Sequence, residues 1–182
     1  RFMEIRLAEL QVKKPEAQLK KTWVPYERIS IHLKRAIIAS EDAKFVDHEG
    51  FDWEGMQKAM EKNQKKGRFV AGGSTITQQL AKNLFLTPSK SYFRKIEEAI
   101  ITLMLENLWS KRRIFEVYLN VIEWGNGVFG AEAAARHYYN VSAAQLGPEQ
   151  AARLAGMVPN PRYYDRNRSA PGLGRKTGII LG

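Results

Sequence analysis

No cysteine occurs among the 182 residues, so disulfides and thiolate chemistry are both excluded, although that absence does not identify a compartment. Histidine is scarce, at three residues. The segment Glu41 to Asp52 gathers Asp42, Asp47, His48 and Asp52, but its spacing matches no zinc pattern. His48 and Asp52 read better as residues that fix a turn by hydrogen bonds. No apolar run approaches the roughly 18 residues of a membrane span. No stretch alternates like a strand for long, there is no internal repeat, and acidic residues are outnumbered, 19 against 29 basic, for a net charge of +10. An anionic partner follows from that charge: nucleic acid, an anionic membrane surface or a phosphorylated substrate.

What is present is helical punctuation. Ser30 caps a helix with Leu33, Ala36 and Ile37 at helical spacing, ending near Glu41-Asp42. A second runs from about Trp53 to Lys62. Arg94 to Trp109 reads as a long helix with Ile96, Ala99, Ile100, Leu103 and Leu108 turned inward. Ser110 caps another from Lys111 to about Ile122. Gly125, Gly127 and Gly130 make a turn before the alanine-rich helix Ala131 to Tyr139. Ser142 to Gln145 is a capping box, and Pro148 opens a helix that closes at Pro159-Asn160-Pro161. From Arg166 onward the composition is loop-like. The fold expected is one mostly α domain over 1–182, with an irregular cleft on one face. The opening RFMEIRLAEL, within 1–21, is either a juxtamembrane continuation or an ordinary first helix. The missing initial methionine and the abrupt end suggest a piece of a longer chain with an anchor lost upstream.

The most informative stretch is Gly72 to Leu86, GGSTITQQLAKNLFL. Thr75 to Gln78 fits a capping box, with Ser74 a rival cap, and Pro88 marks the stop. Gln78 and Lys82 lie one turn apart, as do Gln79 and Asn83, over an apolar stripe of Ile76, Leu80 and Leu84. A helix start with a lysine one turn inside suits an anion; a capped surface helix facing water accounts for these residues equally well. It is not a nucleotide-binding P-loop, because Gly73 stands where the lysine belongs and no strand-like run precedes Gly67. Two carboxylates stand out. Glu41 ends an apolar helix, and Glu98 lies one turn after Arg94 and one before Thr102. Either can act as a base or metal ligand, if its surroundings shift it, or can be a plain solvated carboxylate.

Five blocks in order resemble the peptidoglycan glycosyltransferases, both monofunctional enzymes and the glycosyltransferase domains of class A penicillin-binding proteins. They are Glu41-Asp42 with Phe45, His48, Gly50 and Asp52; GGSTITQQLAKN; RKIEE at Arg94 to Glu98; Lys111 to Tyr139; and Ala152 to Tyr164. The resemblance implies a lysozyme-like helical fold with a large lobe and a smaller, membrane-proximal jaw, to which the basic loop at about 61–71 would belong. It implies lipid II and the growing glycan strand as substrates, at the outer face of a bacterial inner (cytoplasmic) membrane, in contact with the membrane surface. Cell-wall synthesis or division proteins are the implied partners, and nucleic acid is not.

By the same resemblance Glu41 is the catalytic base and Glu98 a second catalytic glutamate assisting the leaving side. Ser74, Thr75, Gln78, Gln79, Lys82, Lys90, Arg94 and Lys95 bind substrate. A divalent ion, Mg2+ or Mn2+, is shared between the substrate pyrophosphate and Asp42 or Glu98. Lys90 replaces an arginine seen in some relatives, which keeps charge and loses the two-pronged geometry. Two rivals stay open at this point: a lysozyme-like glycan hydrolase and a basic helical nucleic-acid-binding module.

Overall fold

The computed structural model describes residues 2–66, 74–85 and 91–182. The chain opens with α1 (Phe2–Lys13), which stops short of Pro15, and a two-residue strand β1 (Lys20–Lys21). After a 3₁₀ turn come α2 (Ile31–Glu41) and α3 (Trp53–Lys66), then α4 (Ile76–Phe85), α5 (Tyr92–Leu108) and α6 (Lys111–Val121). A hairpin of β2 (Glu123–Gly125) and β3 (Val128–Phe129) leads to α7 (Ala131–Tyr139), α8 (Pro148–Met157), α9 (Pro161–Arg166) and α10 (Pro171–Leu181). The sheet is small, in the order β1-β3-β2, with β1 parallel and β2 antiparallel to β3. The mostly α architecture expected from the sequence is therefore observed, with a sheet that no alternation announced because its strands are two or three residues long.

Capping explains several helix starts. The Ser30, Ser91 and Ser110 hydroxyls each accept a backbone N–H of the first turn that has no partner inside the helix. The hairpin leaves through Gly130, at φ 85°, where a Cβ would stand 2.6 Å from the Asn120 carbonyl oxygen. Only glycine lets α7 start that close to α6.

The core is built where α2 packs on α8, α8 on α10, and α4 on both α5 and α6. Leu33 and Ile37 of α2, Ile76 and Leu80 of α4, Ile114 and Tyr118 of α6, and Leu154 of α8 are all fully buried. Trp124 is sealed within it and donates its indole N–H to the Leu154 carbonyl at 2.8 Å.

Two elements differ from the sequence reading. The stretch after Arg166 is not all loop: α10 forms despite Gly172, Gly174 and Gly178, because Leu173 and Thr177 are buried against neighbours, and tertiary packing overrides poor helix propensity. The second difference is in α5, whose buried residues are Arg94, Glu98, Thr102 and Leu105. Ile96, Ile100, Leu103 and Leu108, expected inward, face out, with Leu108 73% exposed. Periodicity fixes the two faces of a helix but not which one meets the protein. Of the basic stretch at about 61–71, residues 61–66 complete α3 and the rest lies outside the described residues.

Candidate active site

Glu41 is the last residue of α2, whose apolar face is locked into the core, so the backbone carrying the carboxylate is fixed. Burial pushes its pKa above the ordinary glutamate value and is the largest influence. A hydrogen bond from Gln79 and the charge of Lys176 on α10 pull the other way, while neighbouring Asp42 adds to the rise. The carbonyl end of α2 acts in the same sense as burial, since it disfavours negative charge. Of the two opposed influences, burial and neighbouring cations, burial is the larger here.

Opposite stands α4. Thr75 is its cap: the Gln78 N–H donates to the Thr75 hydroxyl at 3.2 Å, and the Thr75 N–H to the Gln78 side-chain oxygen at 2.9 Å. The box is the one the sequence announced, and it commits the Thr75 hydroxyl and the Gln78 side-chain oxygen. The Thr75 hydroxyl also donates to the Gly50 carbonyl at 2.7 Å, and the residue is buried, so it offers no hydroxyl to a ligand. Thr75 thus acts as a cap whose hydroxyl is committed, which departs from its reading as a substrate contact, while Gln78 commits only its side-chain oxygen to the box and keeps its amide nitrogen.

Gln79 does face Glu41, donating from Nε2 to Oε2 at 3.2 Å, while its own oxygen accepts from the Tyr118 hydroxyl at 3.0 Å. Tyr118 is fully buried and its phenol pKa is raised well above the usual value, by burial first and then by Glu41 and Asp42, so it stays a donor. A donor-only partner on the amide oxygen leaves the amide nitrogen for Glu41. The role of Tyr118 is definite once α6 is seen to pack on α4.

Glu41, Ser74, Gln79, Lys82 and Asn83 share one open cavity of about 600 Å³. Ser40, Ile122 and Glu123 continue its lining, and Phe2, Val158, Pro159 and Pro161 complete it. Acid and lysine therefore face a common groove, as required of a base set against a phosphate cradle. Ser74 and Lys82 are both exposed in it.

Asp42 is turned inward. Its Oδ2 takes His48 Nε2 at 2.5 Å and the Ile76 N–H at 3.2 Å, while His48 Nδ1 accepts the Gly50 N–H at 3.0 Å. The Nδ1 acceptor role leaves the ring proton on Nε2, aimed at Asp42. Gly50, at φ 104°, lets this turn lie against α5, for a Cβ there would stand 2.9 Å from Thr102 Cγ2. His48 therefore fixes the turn through Asp42.

Glu98 is buried in a pair with Arg94 at 2.9 Å, with Lys95 at 3.6 Å. None of these three is among the lining residues of the cavity that holds Glu41. Arg94 spends charge on Glu98, and the exposed Lys95 is the cation this group presents outward. Lys90 lies outside the described residues. As members of a protein-only metal cage Asp42 and Glu98 fit poorly, since Asp42 Oδ2 already takes His48 and the Ile76 N–H and Glu98 is matched by cations, while the buried Asp42 Oδ1 accepts no hydrogen bond. Among the described residues no group of three His, Asp or Glu side chains could hold an ion.

A helical cleft that sets a half-buried glutamate against an amide, hydroxyls and a lysine is the equipment of glycosyl transfer, and the chain belongs to the transglycosylase family, whose model matches residues 8–182. A protein of Dechloromonas aromatica (strain RCB) named biosynthetic peptidoglycan transglycosylase is 92% identical over 181 residues, covering 100% of this chain and 78% of that protein. Proteins of the same name from Aromatoleum aromaticum (strain DSM 19018 / LMG 30748 / EbN1) and Methylobacillus flagellatus (strain ATCC 51484 / DSM 6875 / VKM B-1610 / KT) are 71% and 69% identical. They align over 91% and 98% of this chain, and over 72% and 78% of their own lengths.

Proposed function

We propose that this transglycosylase polymerises lipid II into β-1,4-linked peptidoglycan strands, with Glu41 as general base. The observation that carries the reading is the shared groove of Glu41 and Lys82. The acceptor's 4-hydroxyl attacks the donor's anomeric carbon; its proton goes to Glu41, the carbon–phosphate oxygen bond breaks, and undecaprenyl diphosphate leaves with the electron pair. One displacement turns an α linkage into a β one, which fits inverting chemistry. A raised pKa favours this role, because a base works best when its pKa approaches the working pH. The diphosphate leaves as an anion and needs charge compensation more than a proton. Lys82 supplies it inside the groove, Ser74 offers a hydrogen bond, and Lys95, Arg94 and Lys90 add positive field from α5 and its approach. Glu98 serves by orienting Arg94. The residues do not fit a resident metal cage, and no step here runs through one.

The outer face of α5 supports contact with a membrane surface. That face presents Tyr92, Phe93, Ile96, Ile100, Leu103 and Leu108 to solvent, and the chain carries a net charge of +10. A stripe of apolar and aromatic side chains on a basic protein suits the interface of an anionic bilayer. Among the described residues no helix is long and apolar enough to cross a membrane. The reading places the domain on the outer side of a bacterial cytoplasmic membrane, where lipid-linked substrate is presented.

The test is incubation with lipid II, with isolated glycan strands as the comparison substrate. Polymer from lipid II and no cleavage of strands is expected; cleavage without polymer makes the protein a hydrolase instead. Glu41→Gln should abolish polymer while leaving lipid II binding in place, and polymer from that variant removes Glu41 as the base. Its stability gives a second reading. A carboxylate with a raised folded pKa destabilises the fold increasingly as pH climbs from the unfolded to the folded pKa. Glu41→Gln should therefore melt at or above the parent temperature at neutral pH and lose that advantage in acid.

A further inference from the structure

The family match begins at residue 8, yet the first turn of α1 reaches the cavity ahead of it. Phe2 lines the cavity beside Ile122, and its ring meets Phe129 edge-on with centroids 6.3 Å apart. Arg6 follows one turn later on the same face of α1. Its Nε lies 3.4 Å from Glu123 Oε2, with no hydrogen bond of its own, and Nη2 donates to Asn126 Oδ1 at 3.1 Å. Glu123 also lines the cavity and is gripped from the far side by Arg162 Nε, at 3.1 and 3.0 Å to its two oxygens. The first turn of α1 and the β2–β3 hairpin are thus one wall, held by two arginines around a single carboxylate.

We infer that this turn is a working part of the substrate site: Phe2 packs on a sugar ring of the lipid-linked substrate, and Arg6 is a positioning residue that fixes Glu123 beside it. The inference rests on the transfer reaction proposed above. A ring and a carboxylate side by side are wrong for a prenyl chain, which would strip water from Glu123 without pairing it. A hexose fits both, with C–H bonds for the aromatic face and hydroxyls for the carboxylate. The wall shares its cavity with Glu41, whose task is also on a sugar.

The experiment compares Phe2→Ala, Phe2→Trp, Arg6→Ala and, on the exposed side of α1, Val12→Ala, using lipid II with the full prenyl chain and with a shortened one. Phe2→Ala should raise KM roughly five- to tenfold on both substrates with kcat within about twofold, the scale of one lost apolar contact. Phe2→Trp should restore KM, Arg6→Ala should raise it in the same direction, and Val12→Ala should match the parent. Melting temperatures accompany each variant, and the Phe2→Trp rescue separates recognition from folding. An unchanged KM for Phe2→Ala, or a rise confined to the full-length chain, overturns the sugar contact. If the parent protein makes no polymer, the proposed reaction falls instead, so the two failures are distinct.

Discussion

At the scale of single residues, the arrangement turns on which atoms are already committed. Tyr118 has only a proton to give to Gln79, and Gln79 therefore has its N–H to give to Glu41. Tyr118→Phe should lower kcat on the order of tenfold, leave KM nearly unchanged, and move the acid limb of the pH–rate profile upward. The upward shift follows because the hydrogen bond from Gln79 is what partly offsets burial at Glu41. An unmoved acid limb would show that Gln79 keeps its orientation unaided. Little of this was legible in the sequence: Glu41, Gln79 and Lys82 were found by motif, but Tyr118 and Lys176 come from distant segments. Tyr118 lies in a matched block that gives no sign of its partner, nothing marks Lys176, and only the packing of α6 and α10 brings them in.

At the scale of elements, most helix starts and the inward faces of α2 and α4 were legible, whereas the face of α5 was not. The cap of α4 was readable because a hydroxyl three residues before a glutamine is a local signal with a local cause. The same locality hid its consequence, since the Thr75 hydroxyl is spent on the backbone rather than on substrate. Thr75→Ala removes the cap and strands the Gly50 carbonyl, so it should cost about 1–2 kcal/mol of unfolding free energy. Urea denaturation measures this; a loss below a few tenths would mean that Ser74 takes over as cap. In α5 the alternation of faces was plain, but the assumption that apolar means inward failed, because this helix hides its Arg94–Glu98 pair and Thr102 and shows its isoleucines and leucines. The helix α10 was missed for the opposite reason, since its glycines argue locally against the helix that its neighbours stabilise.

For the molecule as a whole, the question is what holds it where its substrate is. If α5 lies on the bilayer, Ile100→Glu with Leu103→Glu should cut binding to vesicles containing anionic lipid by tenfold or more, since each carboxylate must leave water. Activity on detergent-solubilised lipid II should stay near the parent level. Equal loss in both settings would assign the stripe to the fold instead. The cleft also has an unusual pedigree along the chain: Phe2 stands at one edge, Pro161 at another, and Lys176 faces the acid from the last helix. Elements far apart in sequence, α1 and α10, must meet before the helices between them can work. Such long-range closures come late in folding, so a chain stopped ahead of α10 carries the motifs of the enzyme without its reaction centre, and stays silent until α10 has docked.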